Sequence, residues 1–325
     1  MSKKSTEEPK NNLENLKKMA RSFKDYMNAQ YQEAVAYTPD TETVAKVSVA
    51  KWLEMPEAFQ EAVGLPGLPI GNITHVYGKP NTGKTTVLMQ AIAQAQKQGI
   101  LPILILTEHK FDFKRLSEFM GADPEAMLVF HADNIEQAYS YMEKVLRDLA
   151  AGRIVLDIND KDVEIDMTNQ DCFIFVDSIG GMMSESELEY EIEDHDKSMG
   201  KSAKALKTLT KRINQLLSKV RQRCGILLLN QSYQSMPSYG PSVETPYGGD
   251  GVIYSSVLNL RFKRVGDLKM TIKGKDTIIG LETKIEVKKN HITHVMPISS
   301  VFTVASGFIP ATKEALEAYK KKYLR

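Results

Sequence analysis

The chain has 325 residues, 42% of them hydrophobic and 26% charged, with a net charge of +1; that is enough apolar side chain for one large α/β domain or a medium domain with appendages. So even a charge balance points to neither nucleic acid nor membrane, and any basic surface has to be local and offset by acidic segments. No apolar run approaches the ~18 residues of a membrane span, the N-terminus MSKKSTEEPKNN is polar, and Cys172 and Cys224 show no C-x-x-C spacing, so a membrane anchor, a signal peptide, a disulfide framework and a zinc site are not expected and a cytoplasmic location is.

Residues 1–12, charged and polar, read as disordered. Leu13, Leu16, Ala20, Phe23, Met27, Tyr31 and Ala34 then recur every three or four residues, the mark of a helix with one apolar stripe. A polar stretch, residues 38–43, separates this helix from the rest, and two partners are open to the stripe: the chain's own core or a neighbouring subunit. From Ile73 onward, apolar strand runs at 73–77, 102–107, 127–131, 172–177 and 225–230 alternate with helical patterns at 84–98, 112–121, 134–150 and 201–222. Runs such as ILIL and FIFV suit strands covered on both faces, so the expected fold class is α/β, a mostly parallel central sheet flanked by helices. Residues 153–167 alternate around Asn159-Asp160 as an inserted hairpin, and β-rich runs from about Val257 to Val304, punctuated by Gly266, Gly274 and Gly280, predict antiparallel hairpins at the C-terminal edge.

Residues 78–85, GKPNTGKT, form a complete G-x-x-x-x-G-K-[ST] phosphate loop between a strand run and a helix. Gly78 and Gly83 let the loop (with Lys79, Pro80, Asn81, Thr82 and Thr86) turn backbone N–H groups toward phosphate oxygens; Lys84 reaches the β and γ phosphates and Thr85 ligates Mg²⁺. ATP and Mg²⁺ are therefore the expected ligands. Hydrolysis also needs a carboxylate near the metal and a group that activates water. Asp177 closes the run FIFV and is the expected metal-shell carboxylate, Glu108 closes ILILT and is the expected general base, and Gln231 at the end of 225–230 lies where an amide can contact the γ-phosphate.

Two further stretches bear on partners. Between Lys201 and Arg223 there are eight Lys or Arg and no acidic residue, with Lys201, Lys204, Lys207 and Lys211 on one helical face and Leu206, Leu209, Ile213, Leu216 and Val220 on the other. The preceding residues 184–196 carry seven acidic residues and are followed by Met199-Gly200, so charge is segregated. Residues 232–251, polar and rich in Gly and Pro, read as a long aperiodic loop, and beside the basic strand Arg261, Lys263 and Arg264 they could follow a single-stranded backbone with Tyr233, Tyr239 and Tyr247 near bases.

Taken in order, the segments GLPIGNITHVYGKPNTGKTT, TEHKFD, FIFVDSIGGM, ELEYEIEDHDKSMG with SAKALKTL, LLLNQ, and ETPYGG with VLNLRFKR resemble the RecA family of homologous-recombination ATPases, including its phage-encoded UvsX-like members, from about Ser48 to Ile309. The resemblance implies a RecA-like core that binds MgATP through Lys84, Thr85 and Asp177. In that core Glu108 activates water, and Gln231 senses the γ-phosphate and couples it to the loop that follows. It implies DNA contacts from a first loop, residues 189–199, extended by Gly200, Lys201 and Lys204, and from a second, residues 232–249, including Tyr233, Ser235, Tyr239, Tyr247, Gly248 and Gly249. By the same resemblance the subunits polymerise head to tail on single-stranded DNA and pair it with a homologous duplex. Residues 1–50 would then dock on the neighbour, 51–310 form the core and 311–325 a short basic tail, with Lys289 and His291 reaching toward the neighbouring ATP. A single-strand-binding protein and a loading mediator are further candidate partners, in the cytoplasm of a bacterial cell or a phage-infected host.

The chain departs from the family pattern in four places. His291 stands where the family has a second basic interface residue, and Arg115 or Leu116 stands near the place of the aromatic that stacks on adenine. The hairpin at 153–167 is extra, and the chain offers one short basic helix, 312–323, where bacterial members carry a small C-terminal domain. The expected function is a DNA-dependent ATPase that forms filaments and exchanges strands; the competing expectation is a RecA-like regulatory or assembly ATPase without strand exchange.

Overall fold

The computed structural model describes residues 8–31, 51–108, 110–157, 162–188, 201–220, 222–235, 242–272 and 274–323. The chain divides into two compact units, Met1–Ala50 and Lys51–Arg325. In the first, α1 (Glu8–Tyr31) begins within the stretch expected to be disordered, because the Pro9-led segment continues the helical pattern and Pro is tolerated in a first turn. Leu16, Met19, Phe23 and Tyr26 are all more than half exposed on it.

The second unit opens with β1 (Trp52–Glu54), α2 (Glu57–Val63) and β2 (Gly67–Pro69), β1 pairing antiparallel with β2. The central layer follows: β3 (Ile73–Gly78), α3 (Lys84–Lys97), β4 (Leu101–Leu106), α4 (Phe113–Glu118), β5 (Leu128–His131) and α5 (Ile135–Ala151). A separate two-stranded hairpin, β6 (Arg153–Asp157) with β7 (Asp162–Asp166), precedes β8 (Cys172–Asp177), α6 (Glu185–Leu188) and α7 (Lys201–Leu217). After these come β9 (Cys224–Ser235), β10 (Val243–Pro246), α8 (Asp250–Ser255), β11 (Leu258–Ile272), β12 (Lys275–Asn290), β13 (Ile298–Val304), β14 (Gly307–Pro310) and α9 (Lys313–Tyr323).

The sheet order among the described residues is β14-β13-β12-β11-β3-β9-β8-β4-β5, with β10 on β9. From β11 to β5 the pairings are parallel, and from β11 to β14 they are antiparallel. β3, β4, β8 and the first part of β9 are buried on both faces, which is why they read as unbroken apolar runs, whereas β5 at the sheet edge is partly exposed. Phe173, Phe175, Leu227 and Leu229 pack with Val87, Leu88 and Met89 of α3 on one side. Their neighbours Ile174, Val176, Ile226 and Leu228 pack with α5 and α7 on the other. A two-residue side-chain period feeds both cores from one strand.

One expectation is corrected by pairing. Residues 232–251 are not an aperiodic loop: β9 runs five residues beyond Asn230, β10 pairs back on it from Val243↔Ser235 to Pro246↔Ser232, and α8 follows. Alternation was hidden there because the arms are short and polar. The first DNA loop (189–199), Gly200 and Tyr239 lie outside the described residues.

Candidate nucleotide site and the elements around it

β3 ends at Gly78 and α3 begins at Lys84, so the loop between them presents the first turn of α3 at the carboxyl edge of the sheet. No side chain caps that turn; its N-cap is Gly83, at φ 93°. The uncapped N–H groups and the positive end of the helix dipole face outward, a ready anion site. A Cβ on Gly83 would lie 3.0 Å from Thr303 Oγ1 and 3.1 Å from Thr283 Oγ1. These two threonines brace the loop: they share a 2.6 Å hydrogen bond, and Thr283 Oγ1 donates to Thr82 O at 3.1 Å.

Lys84 Nζ folds back and donates to Gly78 O and Lys79 O, each at 2.8 Å, while Thr82 Oγ1 donates to Lys79 O at 2.9 Å. The ammonium thus occupies the loop's own carbonyls. Burial lowers the Lys84 pKa to about 8, against the opposing pull of Asp177, Glu244 and Glu108. Lys79, Pro80 and Asn81 are exposed at the rim, Thr82 and Thr86 buried at the base.

Asp177 ends β8 beside Thr85, whose hydroxyl donates to Asp177 Oδ2 at 3.2 Å. Burial raises the Asp177 pKa to about 6, with Glu108 adding to the rise and Thr85 and Lys84 opposing it. Thr107 locks the two strand ends together, accepting from Ser178 N at 3.0 Å and donating to Ser178 O at 2.9 Å. That lock sets Glu108 and Asp177 at the same small cleft, about 80 Å³, with Thr85, Leu106, Lys110 and Phe111. Gln231 Nε2 donates to Glu108 Oε1 at 3.4 Å, so the expected base and the expected γ-phosphate sensor touch. The ends of β4 and β8, the middle of β9 and the start of α3 therefore gather Lys84, Thr85, Asp177, Glu108 and Gln231.

A second cleft, about 330 Å³, runs from the phosphate loop past Arg115 and Arg264 to Leu281 and Thr303. Of the two residues near the expected aromatic position, Leu116 is fully buried in the core and Arg115 lines this cleft. Arg115 is held edge-on: Nε donates to Ala305 O at 3.1 Å, and one terminal nitrogen donates to Val304 O at 2.9 Å and Thr86 Oγ1 at 3.0 Å. In-plane bonding leaves guanidinium faces for stacking. Sequence reasoning missed Thr283 and Thr303, which carry no motif and reach the loop only through the β12–β13 register.

Other expected residues lie elsewhere. Lys289 pairs with Asn259, which pairs with His75, three residues back along β3 from Gly78 and so about 10 Å down the sheet. Its Nζ donates to Ile253 O, Tyr254 O and Ser256 O at 2.9, 3.1 and 2.6 Å, at the end of α8. His291 is exposed, and neighbouring Lys289 lowers its pKa. Neither residue lines the clefts at this chain's own phosphate loop. The basic strand is also corrected: Arg261 is bound to Glu244 at 2.5 Å and Glu286 at 3.4 Å, Lys263 to Glu286 at 3.0 Å, and Arg264 to Asp267. Glu286 sits on the paired strand β12 and Glu244 on β10, where sequence spacing could not show them, and they leave Arg261 no free charge for a nucleic-acid backbone; Asp267 lies three residues from Arg264 along β11 itself.

Of the expected DNA contacts, Lys204 is exposed and Lys201 half-buried on the α7 face opposite buried Leu206, Ile213 and Leu216. Tyr233 is 47% exposed and Ser235 closes β9. Gly248 is buried against Leu206, and Gly249, at φ 65°, has open space where a Cβ would be. Tyr247 is half-buried, with its ring packed against the core beside α7. A polar network also lies beneath the sheet edge, where fully buried His75 bonds Asn259 Oδ1 at 2.9 Å and Asn230 Nδ2 at 3.0 Å and is held neutral by burial, with its pKa near 4.

The donors at the loop, a hydroxyl and one carboxylate, are hard oxygens aimed at one point, which fits an ion sharing ligands with phosphate and water. Among the described residues no group of three or more His, Cys, Asp or Glu gathers as an all-protein cage, and no helix is long and apolar enough to cross a membrane.

Comparison with known proteins agrees with this geometry. The family model of the RecA N-terminal domain matches residues 42–172 and 152–304. The two matches overlap across the β6–β7 hairpin. The chain is 29% identical over 287 residues to Protein RecA of Cytophaga hutchinsonii, covering 88% of this chain and 72% of that protein. It is 30% identical over 235 residues to Protein RecA of Chlorobaculum tepidum, and 31% over 229 to that of Acinetobacter baumannii. Those two alignments cover 72% and 70% of this chain and 60% and 57% of the relatives' length. A phosphate loop and strand-end carboxylates on this sheet order, with a family match across most of the core, make the chain a member of the RecA family.

Proposed function

We propose that the chain is a DNA-dependent ATPase that forms filaments on single-stranded DNA and carries out homologous pairing and strand exchange. The observation that carries this reading is the 3.4 Å contact between Gln231 and Glu108, because Gln231 lies on the strand that continues into the β9–β10 hairpin. A change at the phosphate end of the site is thereby felt by the arm expected to touch DNA.

In this mechanism the first-turn N–H groups of α3 hold the phosphates of ATP, and Lys84 leaves its carbonyl partners to bind the β and γ oxygens. Thr85 and Asp177 would hold Mg²⁺, which when bound offsets phosphate charge. Glu108, on the exposed side of the same cleft, orients and deprotonates water, and Gln231 moves from Glu108 toward the γ-phosphate. Arg115 offers its face to the base. Lys289 and His291, remote from this chain's own phosphate loop, serve a neighbour's ATP, and the apolar face of α1 docks on the adjacent copy. Lys201 and Lys204 neutralise DNA phosphates and Tyr233 meets bases, with Met199, Gly200, Ser235, Tyr239, Gly248 and Gly249 completing the two loops.

The test is ATP hydrolysis with and without single-stranded DNA. Stimulation by single strands, lost in Glu108→Gln, together with loss of ATP-dependent DNA binding in Lys84→Ala, is the expected result. Turnover indifferent to DNA would instead favour the regulatory or assembly ATPase.

A further inference from the structure

The cleft that runs from the phosphate loop has an arginine on each side, and both are held in the same way. Its floor is a cross-strand pair, Leu281 of β12 and Thr303 of β13. Arg264 rises on one side from β11, where it pairs with Thr283 of β12. Arg115 closes the other side from α4, bonded to the end of β13. The cleft, about 330 Å³, lies in the size range of a small-molecule pocket. The loop fixes which end takes phosphate, so the end between the two arginines takes the base.

Arg264 Nε donates to Asp267 Oδ1 at 3.0 Å, and one terminal nitrogen donates to the same oxygen. Arg115 is likewise spent within its plane on Ala305 O, Val304 O and Thr86 Oγ1. A guanidinium bonded through its edge keeps its faces for stacking, and its charge is attracted to an aromatic face. Leu281 adds apolar contact that has no directional preference. These groups grip a flat ring by its faces.

The edge of the ring is a different matter. Adenine carries an amino donor where guanine carries a carbonyl acceptor, and telling them apart takes a fixed acceptor aimed at that amine. At this end of the cleft Val304 O, Ala305 O and Thr86 Oγ1 each already receive an Arg115 N–H, and Thr303 Oγ1 shares its bond with Thr283. No Asp or Glu is among the described lining residues: Asp267 holds Arg264, and Asp112 caps α4 by accepting from Arg115 N at 2.8 Å. A site that hydrogen-bonds a substrate group rejects the analogue lacking it by about 10⁴-fold or more, and a site without that bond does not.

We infer that the base end of this cleft holds a purine by its faces between Arg115 and Arg264 and leaves its edge unread, so that guanine nucleotides bind about as well as adenine nucleotides. The inference rests on the proposed nucleotide site and adds to it a second wall, Arg264, and a selectivity. Calorimetric titration of the full chain with ADP, GDP and CDP, in Mg²⁺ and without DNA, tests it. ADP and GDP are expected to agree within about fivefold in Kd, and CDP to bind at least about tenfold more weakly, because a pyrimidine stacks one ring where a purine stacks two. Arg264 is 42% exposed, and replacing it leaves the strand pairing in place. Arg264→Ala is expected to weaken ADP and GDP by the same factor, at least about fivefold, and to narrow their advantage over CDP. Arg264→Lys keeps the charge without the planar face and is expected to fall with the alanine variant. A preference for ADP over GDP above about fivefold, CDP bound as tightly as ADP, or Arg264→Lys equal to wild type overturns the inference while the nucleotide site stands. Failure of all three nucleotides to bind overturns the inference and the proposed function together, whereas turnover indifferent to DNA bears on the proposed function alone.

Discussion

Lys84 and Asp177 are half-buried charges of opposite sign whose titration carries the chemistry of the free site into measurable form. Burial pulls Lys84 down to about 8, so near pH 8 a large share of the free chain holds a neutral amine there. Phosphate restores the preference for the ammonium. Nucleotide binding near pH 8 is expected to take up protons, up to about 0.5 per site, and titration calorimetry in buffers of different ionisation enthalpy reads that number; no buffer dependence beyond that of Lys84→Met would refute it. Asp177 runs the other way. Its folded pKa, about 6, stands above the ordinary 3.8, so its contribution to stability is complete below about pH 4 and is lost as pH rises through 6. Without Mg²⁺, Asp177→Asn is expected to raise Tm by a few degrees at pH 7.5, on the order of 1–2 kcal/mol, and to change nothing near pH 4. Thermal melts across that range settle the sign. At this scale the loop residues were legible because they are contiguous, and Asp177 and Glu108 because each closes an apolar run. Arg115 was only narrowed to a pair, and Thr283 and Thr303 were silent, since what they do depends on strand neighbours about 200 residues away.

Among the elements, the strands were legible to within a residue or two wherever both faces are covered, because a doubly buried strand has no alternative to an apolar run. The pattern failed at β9, where Ser232, Tyr233, Gln234 and Ser235 leave the core and are held by β10 instead. Helix α7 keeps both readings of its sequence: Leu206, Ile213 and Leu216 are buried, and Lys204, Lys207 and Lys211 are exposed. A lysine facing a single-stranded backbone releases about 0.7 counterion. Lys204→Ala is therefore expected to weaken ATP-dependent binding of single strands and to reduce the magnitude of the log Kd against log salt slope by about 0.7. A slope identical to wild type would make this face merely solvated. The expected basic strand fails because its partners, Glu286 across the β11–β12 pair and Glu244 on β10, are invisible to linear spacing.

For the whole molecule, the two compact units divide between Ala50 and Lys51. The exposed apolar residues of α1 make a prediction about assembly. Removing residues 1–50 is expected to leave nucleotide binding within about twofold while abolishing ATP-dependent filaments on single-stranded DNA, read by sedimentation and electron microscopy. Filaments of undiminished length in the truncated chain would send that face elsewhere.

The sequence by itself determined the α/β class, the phosphate loop and its two carboxylate partners, and the amphipathic division of α7, because each is written in neighbouring residues at the period of its own element. Only the tertiary structure decided that Gln231 meets Glu108, that Arg261 is neutralised within the sheet, and that Asn230 bonds the Tyr247 carbonyl. Those relations are set by which strands pair and in what register, a long-range choice that no local periodicity encodes.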